Sequence, residues 1–235
     1  MPKVWQKNRT QLTRPETGQP GIEVKDKIAI LDFGGQYVHL IANKVRRLGV
    51  YTEIFLPTED ATTFADYKGI IFSGGPSSVY AEDRPDFNSD LIKLDIPKLG
   101  ICYGHQLINQ QLGGTVEMGE VQEYGISQLL VPKNPHPLLK ALPASSPMWM
   151  SHGDKVSVPA EGFKTIASTD DCEQSAVAND AIKSYGIQFH PEVTHSEFGM
   201  KVLENFIDIC GCAKDWDAAS YVEEISEKIK KQVAD

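Results

Sequence analysis

Three short stretches of this chain are apolar at nearly every consecutive position, and they narrow its fold more than any other feature. They are Lys27-Ile-Ala-Ile-Leu-Asp-Phe33, Lys68-Gly-Ile-Ile-Phe-Ser73 and Lys98-Leu-Gly-Ile-Cys102. A strand with one wet face alternates apolar and polar residues. A strand apolar throughout is covered on both faces, as in the parallel sheet of an α/β protein. The segments between these runs have helical spacing: Val38, Ile41, Val45 and Leu48 recur at intervals of 3, 4 and 3, with Gly49 as a stop. Tyr51–Leu56 reads as a further strand, Phe87–Leu94 as a short helix, and His105–Leu112 as a helix closed by Gly113-Gly114. Strands alternating with helices predict a three-layer αβα fold with a mostly parallel central sheet.

After Thr115 the pattern changes. Gln128–Val131, Met148–Met150, Thr165–Ala167 and Tyr185–Phe189 read as short β segments, partly antiparallel. Glu197–Ile209 follows as a helix with Val202, Phe206 and Ile209 on one face, and an amphipathic helix is expected from about Asp217 to Val233. The organisation expected is a flexible leader at 1–26, rich in Pro, Gly and polar residues, a folded body at 27–212, and a linker-like helix at 213–235.

Charge and composition exclude several classes of function. With 32 acidic against 23 basic residues, the net charge is −9. Only the leader is locally basic, through Lys3, Lys7, Arg9 and Arg14, so neither nucleic acid nor a membrane surface is an expected partner. No apolar stretch is long enough to span a bilayer, and no basic start precedes an apolar core in the manner of a secretory signal. Cys102, Cys172, Cys210 and Cys212 are therefore read as reduced thiols of a cytoplasmic protein. Cys210 and Cys212 lack a second cluster of zinc-site spacing, and no metal is expected.

Chemistry concentrates in three places. Gly100-Ile-Cys102-Tyr-Gly104 lies where a buried strand meets a helix, the setting of a nucleophile elbow with Cys in place of Ser. Such a turn presses the neighbours of the nucleophile against the backbone, so they must be small. The helix N-terminus beneath favours a thiolate. His190 ends the strand-like run Tyr185–Phe189, and Glu192 lies two residues on, on the same side of an extended segment. That pairing suits a general base held by a carboxylate. Ser73-Gly-Gly-Pro76 ends its own strand, and its backbone N–H groups, with that of Tyr103, suit an oxyanion hole.

These elements resemble class I (triad) glutamine amidotransferases, through Gly100-Ile-Cys-Tyr-Gly-His-Gln106 and Gln188-Phe-His-Pro-Glu192. Leu31-Asp-Phe-Gly-Gly-Gln-Tyr37, Ser73-Gly-Gly-Pro76, Ser151-His-Gly-Asp-Lys-Val156 and Gly186-Ile-Gln-Phe-His-Pro-Glu-Val-Thr-His195 resemble the glutaminase branch of the GMP synthetases. The resemblance covers residues 27–235 and implies a flavodoxin-like fold. It implies Cys102 as nucleophile, His190 as base and Glu192 as its orienting group. Gly75 and Tyr103 would hold the oxyanion, and Gln106, Ser151, Gly153 and Asp154 the substrate L-glutamine. His105 and His152 are expected to be structural or to form pocket wall. No cofactor is implied in this chain. ATP and Mg²⁺ belong to an ATP pyrophosphatase partner or domain that aminates XMP, toward which the last helix would lead. The alternatives are an amidotransferase serving another acceptor synthetase and a catalytically silent regulatory module.

Overall fold

The computed structural model describes residues 26–219 and Val222. The leader expected at 1–26, apart from Asp26, and most of the helix expected at 217–233 lie outside these residues. Val24–Ala218 form one compact unit, so the chain past 212 continues on the body. There the Ala213 N–H donates to the Asp26 carboxylate (2.8 Å), and the Trp216 N–H donates to the Gly49 carbonyl (2.9 Å).

The central sheet has seven strands in the order β2-β1-β3-β4-β9-β8-β7. They are β1 (Lys27–Leu31), β2 (Tyr51–Phe55), β3 (Gly69–Phe72), β4 (Lys98–Ile101), β7 (Lys164–Ala167), β8 (Ala176–Asn179) and β9 (Ser184–Ile187). The first five in spatial order pair in parallel, while β8 pairs antiparallel with β9 on one side and with β7 on the other. The unbroken apolar runs are explained by which face each residue takes. Ile28 and Ile30 of β1 enter one core, and Ala29 and Leu31 the other. The first core holds Ile41 and Val45 of α1 (Val38–Arg47) and Val202 and Phe206 of α3 (Gly199–Ile209). The second holds Leu107 and Ile108 of α2 (Tyr103–Gln111) together with Phe64 and Leu91. Residues expected in a short helix at 87–94 form a 3₁₀ turn at Ser89–Lys93 instead, capped by the Asn88 side chain.

The largest departure from expectation is β5 (Thr115–Leu130) and β6 (Ser145–Val158). The antiparallel portion expected here is present, but instead of short segments it is a separate ribbon of two long strands, 16 and 14 residues. Its register shifts between Met118, opposite Asp154, and Glu123, opposite His152. Residues 119–122 bulge out across from Gly153, a local bend of the kind found beside sites. Met118, Tyr124, Ile126 and Leu130 on the ribbon are exposed, which hides the alternation that would reveal a long strand. Among the described residues, no helix is long and apolar enough to cross a membrane.

The strand-to-helix turn after β4 depends on two glycines. A Cβ on Gly100 would lie 2.5 Å from the Gly104 carbonyl, and one on Gly104 would lie 2.2 Å from the Phe72 carbonyl oxygen. Backbone, unlike a side-chain tip, has no room to yield. Gly104→Ala is expected to reduce stability by about 2 kcal/mol or more. The check is a lower urea midpoint at unchanged slope; a wild-type midpoint would refute the packing described.

Candidate active site

The carboxyl ends of β1, β3, β4 and β9 open into one cavity of about 540 Å³, where ligands of open parallel sheets usually bind. The far wall is the ribbon, through Tyr124 and residues 151–154. All nine residues singled out in the sequence touch this cavity: Cys102, His190, Glu192, Gly75, Tyr103, Gln106, Ser151, Gly153 and Asp154.

Cys102 is the single residue between β4 and α2, with φ 50° and ψ −105°. A side chain in that region costs on the order of 1–3 kcal/mol and persists only where its surroundings enforce it. Here the Cys102 N–H donates to the Ile187 carbonyl of β9 (2.8 Å), and the Gly104 N–H donates to the Ser73 carbonyl beyond β3 (3.2 Å). Two neighbouring strands thus clamp the turn. The sulfur lies 3.8 Å from the Ser151 carbonyl oxygen and 3.6 Å from the Gln188 amide nitrogen. Tyr103 opens α2, so its N–H has no partner within the helix and is available beside the sulfur. Of the paired glycines after β1, Gly35 serves close approach: a Cβ there would lie 2.4 Å from the Gly74 carbonyl oxygen.

The His190 Nδ1 lies 2.7 Å from Glu192 Oε1, and both residues are buried. The remaining ring nitrogen is left for Cys102, which lines the same cavity. Glu192 Oε2 has no hydrogen-bond partner among the described residues, so the carboxylate acts on the imidazole alone. Burial would lower the His190 pKa, but hydrogen bonds and charge from Cys102 and Glu192 outweigh it and raise it to about 10. The residue is held as imidazolium at neutral pH. Tyr37 sets its ring edge against it, with centroids 5.5 Å apart.

His105 is the opposite case. It is completely buried, its Nε2 lies 3.1 Å from the Gln174 carbonyl oxygen, and burial pulls its pKa down to about 3. It is a neutral structural histidine away from the cavity, whereas His152 forms part of the cavity wall.

Gln106 and Asp154 are fixed in advance. The Gln106 amide donates to the Asp154 carbonyl (2.7 Å) and to Gln188 Oε1 (3.2 Å). The Asp154 carboxylate accepts from the Ser78 hydroxyl and from the Tyr80 hydroxyl (2.7 Å). The Ser196 hydroxyl donates to the His190 carbonyl (2.5 Å) and accepts from the Trp149 N–H (3.0 Å). Sequence reasoning gave no role to Ser78, Tyr80, Gln188, Ser196 or Tyr37. For Gln188 and Tyr37 a signal existed, since both stand inside the quoted motifs.

The family model for class-I glutamine amidotransferases matches residues 29–210. A probable glutamine-hydrolyzing GMP synthase of Leptospira interrogans is 47% identical over 211 residues, 89% of this chain and 35% of that protein. The glutamine-hydrolyzing GMP synthase of Caldicellulosiruptor saccharolyticus is 47% identical over 210 residues, 88% of this chain and 41% of that protein. The chain thus spans well under half the length of these relatives. Among solved structures, a candidate GMP synthase subunit of Thermoplasma acidophilum superposes with a TM-score of 0.71 at 29% identity, covering 85% of this chain and 97% of that one. A glutamine amidotransferase of Thermotoga maritima has the same fold, with a TM-score of 0.64 at 18% identity over 82% of this chain and 99% of that one. Sequence and fold agree: the chain belongs to the class-I glutamine amidotransferase family.

Proposed function

We propose that this chain is the glutaminase component of a GMP synthase, releasing ammonia from L-glutamine through a thioester on Cys102. One observation carries the reading: a cysteine held in a forbidden backbone conformation shares a cavity with a buried His190–Glu192 pair. The likeness to GMP synthases supports XMP as the final acceptor. The remainder of such an enzyme, an ATP pyrophosphatase body using ATP and Mg²⁺, is the proposed partner, and the cytoplasm the proposed compartment.

The steps follow from the positions of the groups. The Cys102 sulfur attacks the carboxamide carbon of glutamine while His190 holds the thiol proton. Negative charge develops on the amide oxygen, which the N–H groups of Gly75 and Tyr103 stabilise. The tetrahedral adduct collapses, the C–N bond breaks, and His190 gives its proton to the departing ammonia. Water then attacks the thioester with His190 as base, releasing glutamate and restoring the thiol. Glu192 keeps the imidazole oriented and supports its charge throughout. Gln106 and the backbone of Ser151, Gly153 and Asp154 hold the substrate, on a wall already fixed by the Ser78 and Tyr80 contacts.

Ammonia release from L-glutamine, measured for the chain alone and with an ATP pyrophosphatase, ATP, Mg²⁺ and XMP, tests the assignment. Stimulation by the full mixture with GMP formed is expected; hydrolysis indifferent to XMP would point to another acceptor. Cys102→Ala is expected to lower turnover by at least about 10³-fold with the fold intact, and Glu192→Ala should cost less than His190→Ala.

The raised pKa of His190 also predicts a pH dependence of stability. A folded pKa of about 10 against an ordinary value near 6.5 contributes stability that is complete below pH 6.5 and is lost as pH rises toward 10. Lys98, lowered by burial to about 8, works in the opposite direction over part of that window, so the comparison with a variant isolates His190. Melting temperatures from pH 6.5 to 10 should fall more steeply for wild type than for Glu192→Gln. Parallel curves would show that Cys102, and not Glu192, supplies the shift.

A further inference from the structure

A second group of ionisable side chains, unused in the chemistry above, meets beside the ribbon wall of the cavity. Glu123 of β5, His152 of β6 and Cys172 of the β7–β8 connection place a carboxylate oxygen, a ring nitrogen and the sulfur within 4.8 Å of one another. All three residues are buried, at 6%, 5% and 0% exposure. The three positions are far apart in sequence, and only the 119–122 bulge brings Glu123 opposite His152.

Proton positions in this group follow from its partners. His152 Nδ1 lies 3.1 Å from the Asp154 carbonyl oxygen, which can only accept, so Nδ1 carries a proton. His152 Nε2 lies 3.1 Å from Glu123 Oε2. Two lone pairs cannot face each other at that distance, so a proton or a cation must lie between them. Glu123 Oε1 accepts from the Thr169 hydroxyl (3.0 Å), which itself accepts from the Cys172 N–H (3.0 Å). Burial works to raise the Glu123 pKa, yet hydrogen bonds from His152, Ser127 and Thr169 bring it below its ordinary value. Burial pushes the Cys172 thiol up to about 11. The 3.1 Å separation is an ordinary hydrogen-bond length, so a shared proton ties the His152 ring to the Glu123 carboxylate.

We infer that the Glu123–His152 pair is a positioning device for glutamine binding, holding the 151–154 wall of the cavity at its working distance from Cys102. The Asp154 carbonyl is gripped from two sides, by His152 Nδ1 and by Gln106 Nε2. The residue before His152 aims its carbonyl at the Cys102 sulfur, and the two after it line the cavity. Glu123 therefore acts through His152 and Asp154 without contact to the reacting atoms, and this role rests on the glutaminase reading. Losing it frees the wall to shift while Cys102, His190 and Glu192 stay in place on the main sheet. The signature is a split between kinetic constants: KM for glutamine rises while kcat is kept.

The test is steady-state glutamine hydrolysis by wild type, Glu123→Ala and Glu123→Gln, with alkylation of Cys102 by iodoacetamide and metal analysis of each protein. For Glu123→Ala, KM should rise on the order of tenfold to a hundredfold, with kcat within about threefold and the alkylation rate unchanged. Glu123→Gln keeps the size and a hydrogen bond to His152, so it should recover most of the lost affinity even if the alanine variant folds poorly. Unchanged KM in a folded Glu123→Ala protein, or loss of kcat with KM kept, would overturn the inference. So would an equivalent of zinc in wild type that Glu123→Ala loses. A wild-type chain that hydrolyses no glutamine, alone or with its partner, would instead sink the glutaminase reading and this inference with it.

Discussion

The site depends on the clamp around Cys102. The backbone there has positive φ, and no side-chain interaction could hold it so. What holds it is the end of the sheet: a carbonyl of β9 on one side, a carbonyl after β3 on the other, and two glycines that let the turn close against both. The reactive sulfur is thereby directed into the crevice, and its position is set by strands rather than by a loop. Every other feature of the site is arranged around that fixed point. His190 follows β9, the strand that accepts the Cys102 N–H, so Cys102 and His190 are referred to the same pair of strands.

The histidines show how neighbours decide the fate of burial. His105 and His190 are both taken out of water. His105 meets a backbone carbonyl and an amide side chain, and desolvation wins, leaving it neutral. His190 meets a carboxylate and a thiol, and desolvation loses, leaving it charged. His152 pairs with a buried carboxylate that is itself held in its ionised form. Residue type alone would not separate these three. The separation comes from what the fold places within about 3 Å.

Much of this was legible in the sequence, for particular reasons. Strands such as β1 announce themselves because both faces are covered, and each residue of Ile28–Leu31 must be apolar for one core or the other. The Cys102 elbow is legible because its steric demand falls on adjacent residues, and His190–Glu192 because two residues along an extended chain share a side. The ribbon was not legible as two long strands, since its outer face carries Met118, Tyr124, Ile126 and Leu130 and its register breaks at the bulge. Glu123, His152 and Cys172 come from three segments, and Ser78 and Tyr80 reach Asp154 across more than 70 residues of chain. No local periodicity encodes a meeting of that kind.

The strand order carries a consequence for assembly. The strand β9 lies between β4 and β8 in the finished sheet, although its pairing with β4 joins segments more than 80 residues apart. Closing so long a loop is entropically costly and slows folding. The β9 strand also supplies the carbonyl that fixes Cys102 and leads directly to His190. Cys102 and His190 are thus brought together by one long-range pairing, and without β9 between β4 and β8 neither the clamp nor the shared cavity exists.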